Sequence, residues 1–335
     1  MIRYKSRHYP WSLRNWFQLA IFILTVAIGI QFILFDQQLA QGKEEIISRP
    51  PGVEGFLPIG SLISLKLFIT TGIFDRVHPA GVIILAFAIL VSWLMRKAFC
   101  GWFCPLGTLS EWLWRLGQKM MWRNYQLPKW LDIPLRGIKY LLMFFFVYAV
   151  LTMDVPSMKG FIQTRYWIIA DHKMLHFFTR MTALTGLVLL ILTAASLLVR
   201  NFWCRYLCPY GAFVGLFSFF SPTSITRNTE TCTDCGLCAQ VCPAYLPVDK
   251  KEEIRSAECT ACMNCVAICP VNQSVKLDTL GVKENYWTQK RMAWWIGAGF
   301  IVLVLVARLC GVWQSGIPYS KLLDIYPLID YLSHF

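Results

Sequence analysis

Charge is scarce in this sequence. Only 15% of its 335 residues are charged, where a soluble domain carries about 25%, and 56% are hydrophobic. That shortage excludes a disordered chain and argues against one large water-soluble domain. Acidic residues are the scarcer sign, 19 against 32 Lys and Arg, which leaves a net charge of +13. Dinucleotide-binding glycine fingerprints, P-loops and serine nucleophile elbows are missing, so the chemistries they serve find no support here. Histidine is limited to five residues. What the chain does contain is a set of long apolar runs and thirteen cysteines, twelve of them in regular motifs.

Five runs are long enough, or nearly so, to span a bilayer of roughly 30 Å, which takes about 20 helical residues. They cover residues 16–35, 79–98, 138–153, 181–199 and 292–309, the third borrowing from its flanks. A weaker run, 56–74, is interrupted by Pro58, Gly60, Lys66 and Gly72 and reads as re-entrant or interfacial, with a full span as the alternative. Arg3, Lys5, Arg7 and Arg14 precede the first run as in a signal peptide. The run is longer than a signal core and no small-residue cleavage pattern follows it, so it is expected to remain as a helix.

Lys and Arg are denser on one set of connecting segments, which hold the N-terminal four, then Arg96, Lys97, Arg115, Lys119, Arg123, Lys129, Arg136 and Lys139, then Arg200, Arg205, Lys290 and Arg291. By the positive-inside rule these face the cytoplasm, as for a multi-pass protein of the bacterial inner (cytoplasmic) membrane. The basic excess is thus assigned to topology and membrane lipid. No basic stripe with interleaved stacking aromatics stands outside the helix flanks, so no nucleic-acid partner is expected.

From Cys232 the chain reads C-T-D-C-G-L-C-A-Q-V-C-P, and from Cys259 C-T-A-C-M-N-C-V-A-I-C-P. Both have the form C-x2-C-x2-C-x3-C-P, in which three close thiolates hold one [4Fe-4S] cluster and the fourth ligates the other cluster. Cys232, Cys235, Cys238 and Cys269 are therefore assigned to the first cluster, and Cys259, Cys262, Cys265 and Cys242 to the second. Zinc needs neither the third cysteine nor the Cys-Pro ending. Disulfides need an oxidising compartment, and the charge rule puts this segment in the cytoplasm.

Residues 96–107, R-K-A-F-C-G-W-F-C-P-L-G, and 200–211, R-N-F-W-C-R-Y-L-C-P-Y-G, form an internal repeat. On an α-helix Cys100 and Cys104 would share a face, as would Cys204 and Cys208. Brought together about a pseudo-two-fold axis, they would make a tetrathiolate site for a metal or a further cluster, with Arg96 and Arg200 offsetting its charge. A redox thiol pair and neutral packing cysteines are the alternatives. Cys310 stands alone and reads as structural.

His78, His172 and His176 are placed at the outer ends of helices, where a haem or quinone role competes with ordinary interfacial histidines. Asp171 and Glu54 are candidate proton acceptors for a quinol.

Twin C-x3-C-P motifs, then a two-cluster ferredoxin module and a last membrane helix, resemble the NapH/NosR-type membrane iron–sulfur (polyferredoxin) family. Further likeness lies in R-P-P-G-V-E-G-F-L-P from Arg49, L-P-K-W-L-D-I-P-L-R-G from Leu127 and C-R-Y-L-C-P-Y-G from Cys204. The resemblance implies electron transfer between membrane quinone or quinol and redox partner proteins, in the manner of a quinol dehydrogenase. A copper reductase or assembly factor, and a membrane anchor subunit of a larger redox complex, are the competing functions. The NosR type also carries a large outer flavin-binding domain, for which these residues leave no room.

The expected fold is an all-α integral membrane protein of about five transmembrane helices with an inserted ferredoxin-like 2[4Fe-4S] domain. Its expected divisions are a cytoplasmic N-terminus (1–15), a membrane domain (16–221), the cytoplasmic cluster domain (222–285), a final transmembrane helix (286–310) and an outer tail (311–335).

Overall fold

The computed structural model describes residues 11–121, 124–279 and 286–332. Arg3, Lys5, Arg7 and Arg123, which carry part of the orientation argument, lie outside the described residues, as do the last six residues of the expected cluster domain and the last three of the tail.

The first apolar run extends in both directions into a helix over Leu13–Ala40, 28 residues without proline. The third run becomes Lys129–Thr152, beginning nine residues earlier than hydropathy indicates. Its early charges are partnered: Asp132 accepts from Arg205 Nε (2.9 Å) and the Tyr206 hydroxyl (2.6 Å), and Lys139 pairs with Glu258 (2.7 Å). Partnered charges do not stop a helix, so the apolar run underestimates it.

Among the described residues, three helices are long and apolar enough to cross a membrane: Leu13–Ala40, Lys129–Thr152 and Gln289–Leu309. A fourth span results if Ala170–Thr179 and Ala183–Leu198, bent by 79° at their junction, are counted together. Pro79–Leu94 is apolar but has 16 residues, about 24 Å at the α-helical rise. This run and 181–199 fall short of their expected lengths because the chain leaves the helix at Met95 and Val199 to enter the Cys-Pro motifs.

The 56–74 segment forms a 3-10 turn over Pro51–Phe56 and a helix over Pro58–Thr71, closed by Gly72 in the left-handed region (φ 72°). Its Lys66, an obstacle to a span, has a structural task. The ammonium donates to the carbonyls of Val150, Leu151 and Met153 at 3.1, 2.9 and 2.5 Å, capping the end of Lys129–Thr152.

Contacts divide the chain into two units: Met1–Phe22, Ala88–Met143 and Val188–Gly299 in one; Ile23–Phe87, Phe144–Leu187 and Phe300–Phe335 in the other. The first contains the ferredoxin-like segment, a sheet of β1 (Thr223–Arg227), β2 (Glu253–Ile254) and β3 (Val275–Thr279). The order is β2-β1-β3, all antiparallel, with Ile225 opposite both Ile254 and Leu277. These three are buried, as expected for the covered face of a half-solvated sheet. The second unit is built around Phe32, Phe35, Trp167, Ile169, Leu322 and Tyr326. The C-terminal segment is therefore core material, with a helix at Tyr319–Ile325, and not a loose tail.

Candidate iron–sulfur centres

Both cysteine runs repeat one backbone pattern. The third and fifth residues of each lie in the left-handed region: Asp234 and Gly236 (φ 50° and 68°), then Ala261 and Met263 (46° and 58°). Alternation of this kind turns successive N–H groups toward one concavity, the anion-binding nest found around iron–sulfur sites. For Ala261 and Met263 it costs on the order of 1–3 kcal/mol each, tolerated only where the surroundings impose it. Short helices follow, Leu237–Gln240 and Asn264–Ile268, and each run then ends in its Cys-Pro pair.

One cavity is lined by Cys232, Cys235, Cys238 and Cys269. A second is lined by Cys242, Cys259, Cys262 and Cys265. Each gathers three thiols from one run and the fourth from the other. Among the described residues no three His, Cys, Asp or Glu converge tightly enough for a single metal ion. Four sulfurs around an open space, without convergence on a point, fit a multi-atom cluster.

The two cavities differ in environment. Cys235 is exposed in the first, while Cys242, Cys259 and Cys265 are buried in the second. Burial pushes Cys242 up to about 12 and Cys259 up to about 11, and raises Cys265 well above an ordinary thiol. Such thiols are neutral when alone; bound iron would supply the charge that holds them as thiolates. In the first cavity Arg227 Nη1 donates to Cys232 Sγ (3.3 Å) and to Asp234 (3.0 Å).

The four repeat cysteines do not sit on α-helix. Phe99–Phe103 and Trp203–Leu207 are single π-helical turns. They are closed by i→i+5 bonds, Cys104 N to Phe99 O (2.9 Å) and Cys208 N to Trp203 O (3.0 Å). Such turns are concentrated at functional sites. Arg96 (φ 55°) and Asn201 (φ 52°) reverse the chain before each, and Pro105 and Pro209 start the helices after. The four thiols lie within one another's electrostatic reach, as does Lys97. Burial raises Cys100 to about 12 and Cys104 to about 11, with Lys97 opposing.

The motif arginines are engaged elsewhere: Arg96 donates to Ser218 O (3.3 Å), and Arg200 to Gln240 O (2.9 Å) while lying over Trp114 and Tyr245. Lys97, buried beside them, is the cation near the thiols. The sequence signal for it was the dipeptide Arg96-Lys97.

The first repeat docks on the loop of the second cavity. Lys97 N donates to Cys259 O (3.2 Å), and Trp102 Nε1 to Ala261 O (2.9 Å). A Cβ on Gly101 would stand 2.4 Å from Thr260 O, so only glycine permits this approach. Arg14, fully buried, pairs with Glu111 and donates to Gly101 O (3.2 Å) and Asn264 Oδ1 (3.3 Å).

The second unit holds the histidines in buried polar networks. His78 Nε2 donates to Trp167 O (2.7 Å), and its Nδ1 accepts from Arg49 (2.8 Å), which also pairs with Asp171 (2.8 Å) and stands 4.0 Å from Glu54. His172 and His176 share Asp36, at 2.7 and 3.2 Å. Nothing local in the sequence marks Asp36, and Arg49 stands out there only as the first residue of a quoted motif, not as a partner of His78. Cys310 is exposed.

Comparison with known proteins follows the same lines. Residues 77–122 and 180–226 each match a 4Fe-4S binding domain, and 224–270 match a 4Fe-4S dicluster domain. The YccM protein of Escherichia coli (strain K12), named provisionally for electron transport, is 40% identical over 328 residues, covering 94% of this chain and 90% of its own length. The chain belongs to the NapH/NosR-type membrane iron–sulfur family. Two further relatives in this family are more distant. The methylamine utilization ferredoxin-type protein MauN of Methylorubrum extorquens is 27% identical over 246 residues, 70% of this chain and 75% of its own. The regulatory protein NosR of Pseudomonas aeruginosa is 29% identical over 166 residues, 44% of this chain but only 20% of its own. No solved structure matches. The NapH/NosR-type assignment makes this an iron–sulfur protein of electron transport, with helices apolar enough to enter a membrane.

Proposed function

We propose that the protein is a membrane-bound relay that passes electrons between a lipid-soluble quinol and redox proteins at the cytoplasmic face. The observation that carries this reading is the lining of the two cavities. Each is bounded by four thiols, three from one C-x2-C-x2-C run and one from the other. Cys232, Cys235, Cys238 and Cys269 hold one [4Fe-4S] cluster and Cys242, Cys259, Cys262 and Cys265 the second. The first, with Cys235 exposed, exchanges electrons with soluble partners; the second, beneath the 96–104 segment, exchanges them with the membrane side. Cys100, Cys104, Cys204 and Cys208 hold a further cluster, a reading supported by the match of both repeats to a 4Fe-4S binding domain. With the shorter Pro79–Leu94 helix counted as a fifth span, residues 222–285 lie in the cytoplasm, in keeping with the basic residues on the connecting segments of that side.

When bound, the clusters supply one-electron carriers. The chain's own contributions are the nest that receives each cluster, the exclusion of water from the second site, and Arg227 against the sulfur of Cys232. The test is anaerobic purification into lipid nanodiscs, iron and sulfide analysis, and addition of menaquinol or ubiquinol. Quinol-driven bleaching of cluster absorbance is expected. Zinc in place of iron, or clusters that reduce with dithionite but not with either quinol, would refute the reading.

A further inference from the structure

His172 is fully buried, and its two ring nitrogens have unlike surroundings. Nδ1 lies 2.7 Å from Asp36 Oδ1, to which it donates. Nε2 has no hydrogen-bond partner. A carboxylate on one imidazole nitrogen fixes the tautomer and makes the other a better acceptor, the arrangement used wherever a histidine must present a lone pair. Asp36 is itself over-determined. It also takes His176 Nε2 (3.2 Å), which the Tyr326 hydroxyl meets at 3.4 Å. Burying an acceptor without a donor costs free energy, and such groups in folded proteins call for an explanation.

The surroundings of His172 specify what the donor is attached to. Rings enclose it: Phe32 at 4.9 Å, Phe35 at 5.7 Å and Tyr326, edge-on, at 5.7 Å between centroids. Asp36, Phe32 and Phe35 all belong to Leu13–Ala40, a helix long and apolar enough to cross a membrane. A flat ring that carries a hydroxyl and travels in the bilayer satisfies all three conditions. Among the described residues no group of metal ligands gathers at this place, which disfavours a metal ion as the partner of Nε2.

We propose that His172 Nε2 is the hydrogen-bond acceptor for the ring hydroxyl of a quinol, with Asp36 as its positioning residue and Phe32, Phe35 and Tyr326 as the walls. The inference rests on the quinol relay proposed above, and it adds where the head group is held.

The test uses the full-length protein in nanodiscs and 2-heptyl-4-hydroxyquinoline N-oxide, a hydroxylated quinol mimic whose fluorescence is quenched on binding. The wild type is expected to bind it saturably. His172→Phe, which keeps a ring but loses the acceptor, should weaken binding about tenfold or more, as expected for one lost buried hydrogen bond. Asp36→Asn should weaken it less, and His172→Gln, which restores an acceptor, should recover part of the loss. Cluster absorbance should be the same in all variants. Equal affinity in wild type and His172→Phe would overturn the proposal while leaving the relay intact. Absence of binding in the wild type would overturn it too, and joined to failed reduction by quinol would overturn the relay as well. Should His172→Phe not fold, photolabelling of the wild type with an azidoquinone decides the matter. Label on the segments around Phe32, His172 and Tyr326 supports the site, and label confined elsewhere refutes it.

Discussion

Among the described residues, twelve cysteines and no histidine belong to the unit that contains the ferredoxin-like sheet, whereas His78, His172 and His176 belong to the other unit, whose only cysteine is Cys310. The buried charges follow the same division. In the first unit they brace the loops that carry thiols: Arg14 with Glu111, Arg205 with Asp132, Lys139 with Glu258. In the second they surround imidazoles: Arg49 with Asp171 beside His78, and Asp36 between His172 and His176. Thiolates are soft ligands that carry electrons through iron, and imidazole–carboxylate pairs hold protons. Oxidation of a quinol releases both, and in the proposed relay the two tasks would fall to different side-chain chemistries in different units. Damage to one set should therefore leave the other measurable.

The sharpest way to break that division is Cys269→Ser. Because Cys269 lines the cavity of Cys232 and not that of Cys259, the substitution should abolish one cluster signal in electron paramagnetic resonance and spare the second. It should also leave binding of the quinol mimic unchanged. Loss of the Cys259-based signal instead would reverse the ligand assignment.

Next in size is Gly101→Val, which drives a side chain into Thr260 O. Overpacking of this kind costs about 1–3 kcal/mol. The expected result is faster loss of iron to a chelator from the second cluster than from the first, with no effect on the histidine networks.

Arg227→Gln tests asymmetry within the thiol-rich unit. A hydrogen bond to a ligand sulfur favours the more negative, reduced cluster, so its removal should lower that cluster's potential. A net bond of about 0.5–1.5 kcal/mol converts to roughly 20–60 mV for one electron. Redox titration should show the first cluster moving and the second still.

The smallest effect is expected from Lys66→Met, which uncaps three carbonyls in the histidine-bearing unit. It should lower thermal stability by about 1 kcal/mol without changing either cluster spectrum.

The thiol-rich segments were legible because their cysteines are close in sequence. In C-x2-C-x2-C the spacing itself brings three sulfurs together, and the fourth follows from the ferredoxin pattern. The cavities at Cys232 and Cys259 contain the residues that this logic pairs. The π turns were not legible, since the choice of i→i+5 over i→i+4 bonding depends on how Cys104 and Cys208 end their turns. Helix extent was half legible: hydropathy located the runs but left out residues 129–137, where Asp132 pairs with Arg205, more than 70 residues away. The partnerships of Asp36, Arg49 and Arg14 were not legible for the same reason. A buried charge is recognised by its partner, and these partners are distant in sequence.

Arg14 also has a bearing on how the protein is made. Its guanidinium joins Gly101, Glu111 and Asn264, the last of them 250 positions downstream. At about 5–20 residues per second, ribosomes need roughly 12–50 s to cover that interval. For all that time the leading apolar helix waits with this latch open. Asn264 lies between Cys262 and Cys265, so the last bond closes within the stretch that takes up iron. Closure of the Arg14 network and filling of the proposed second cluster thus meet at one residue, and iron starvation is expected to loosen the contact of Arg14 with Asn264.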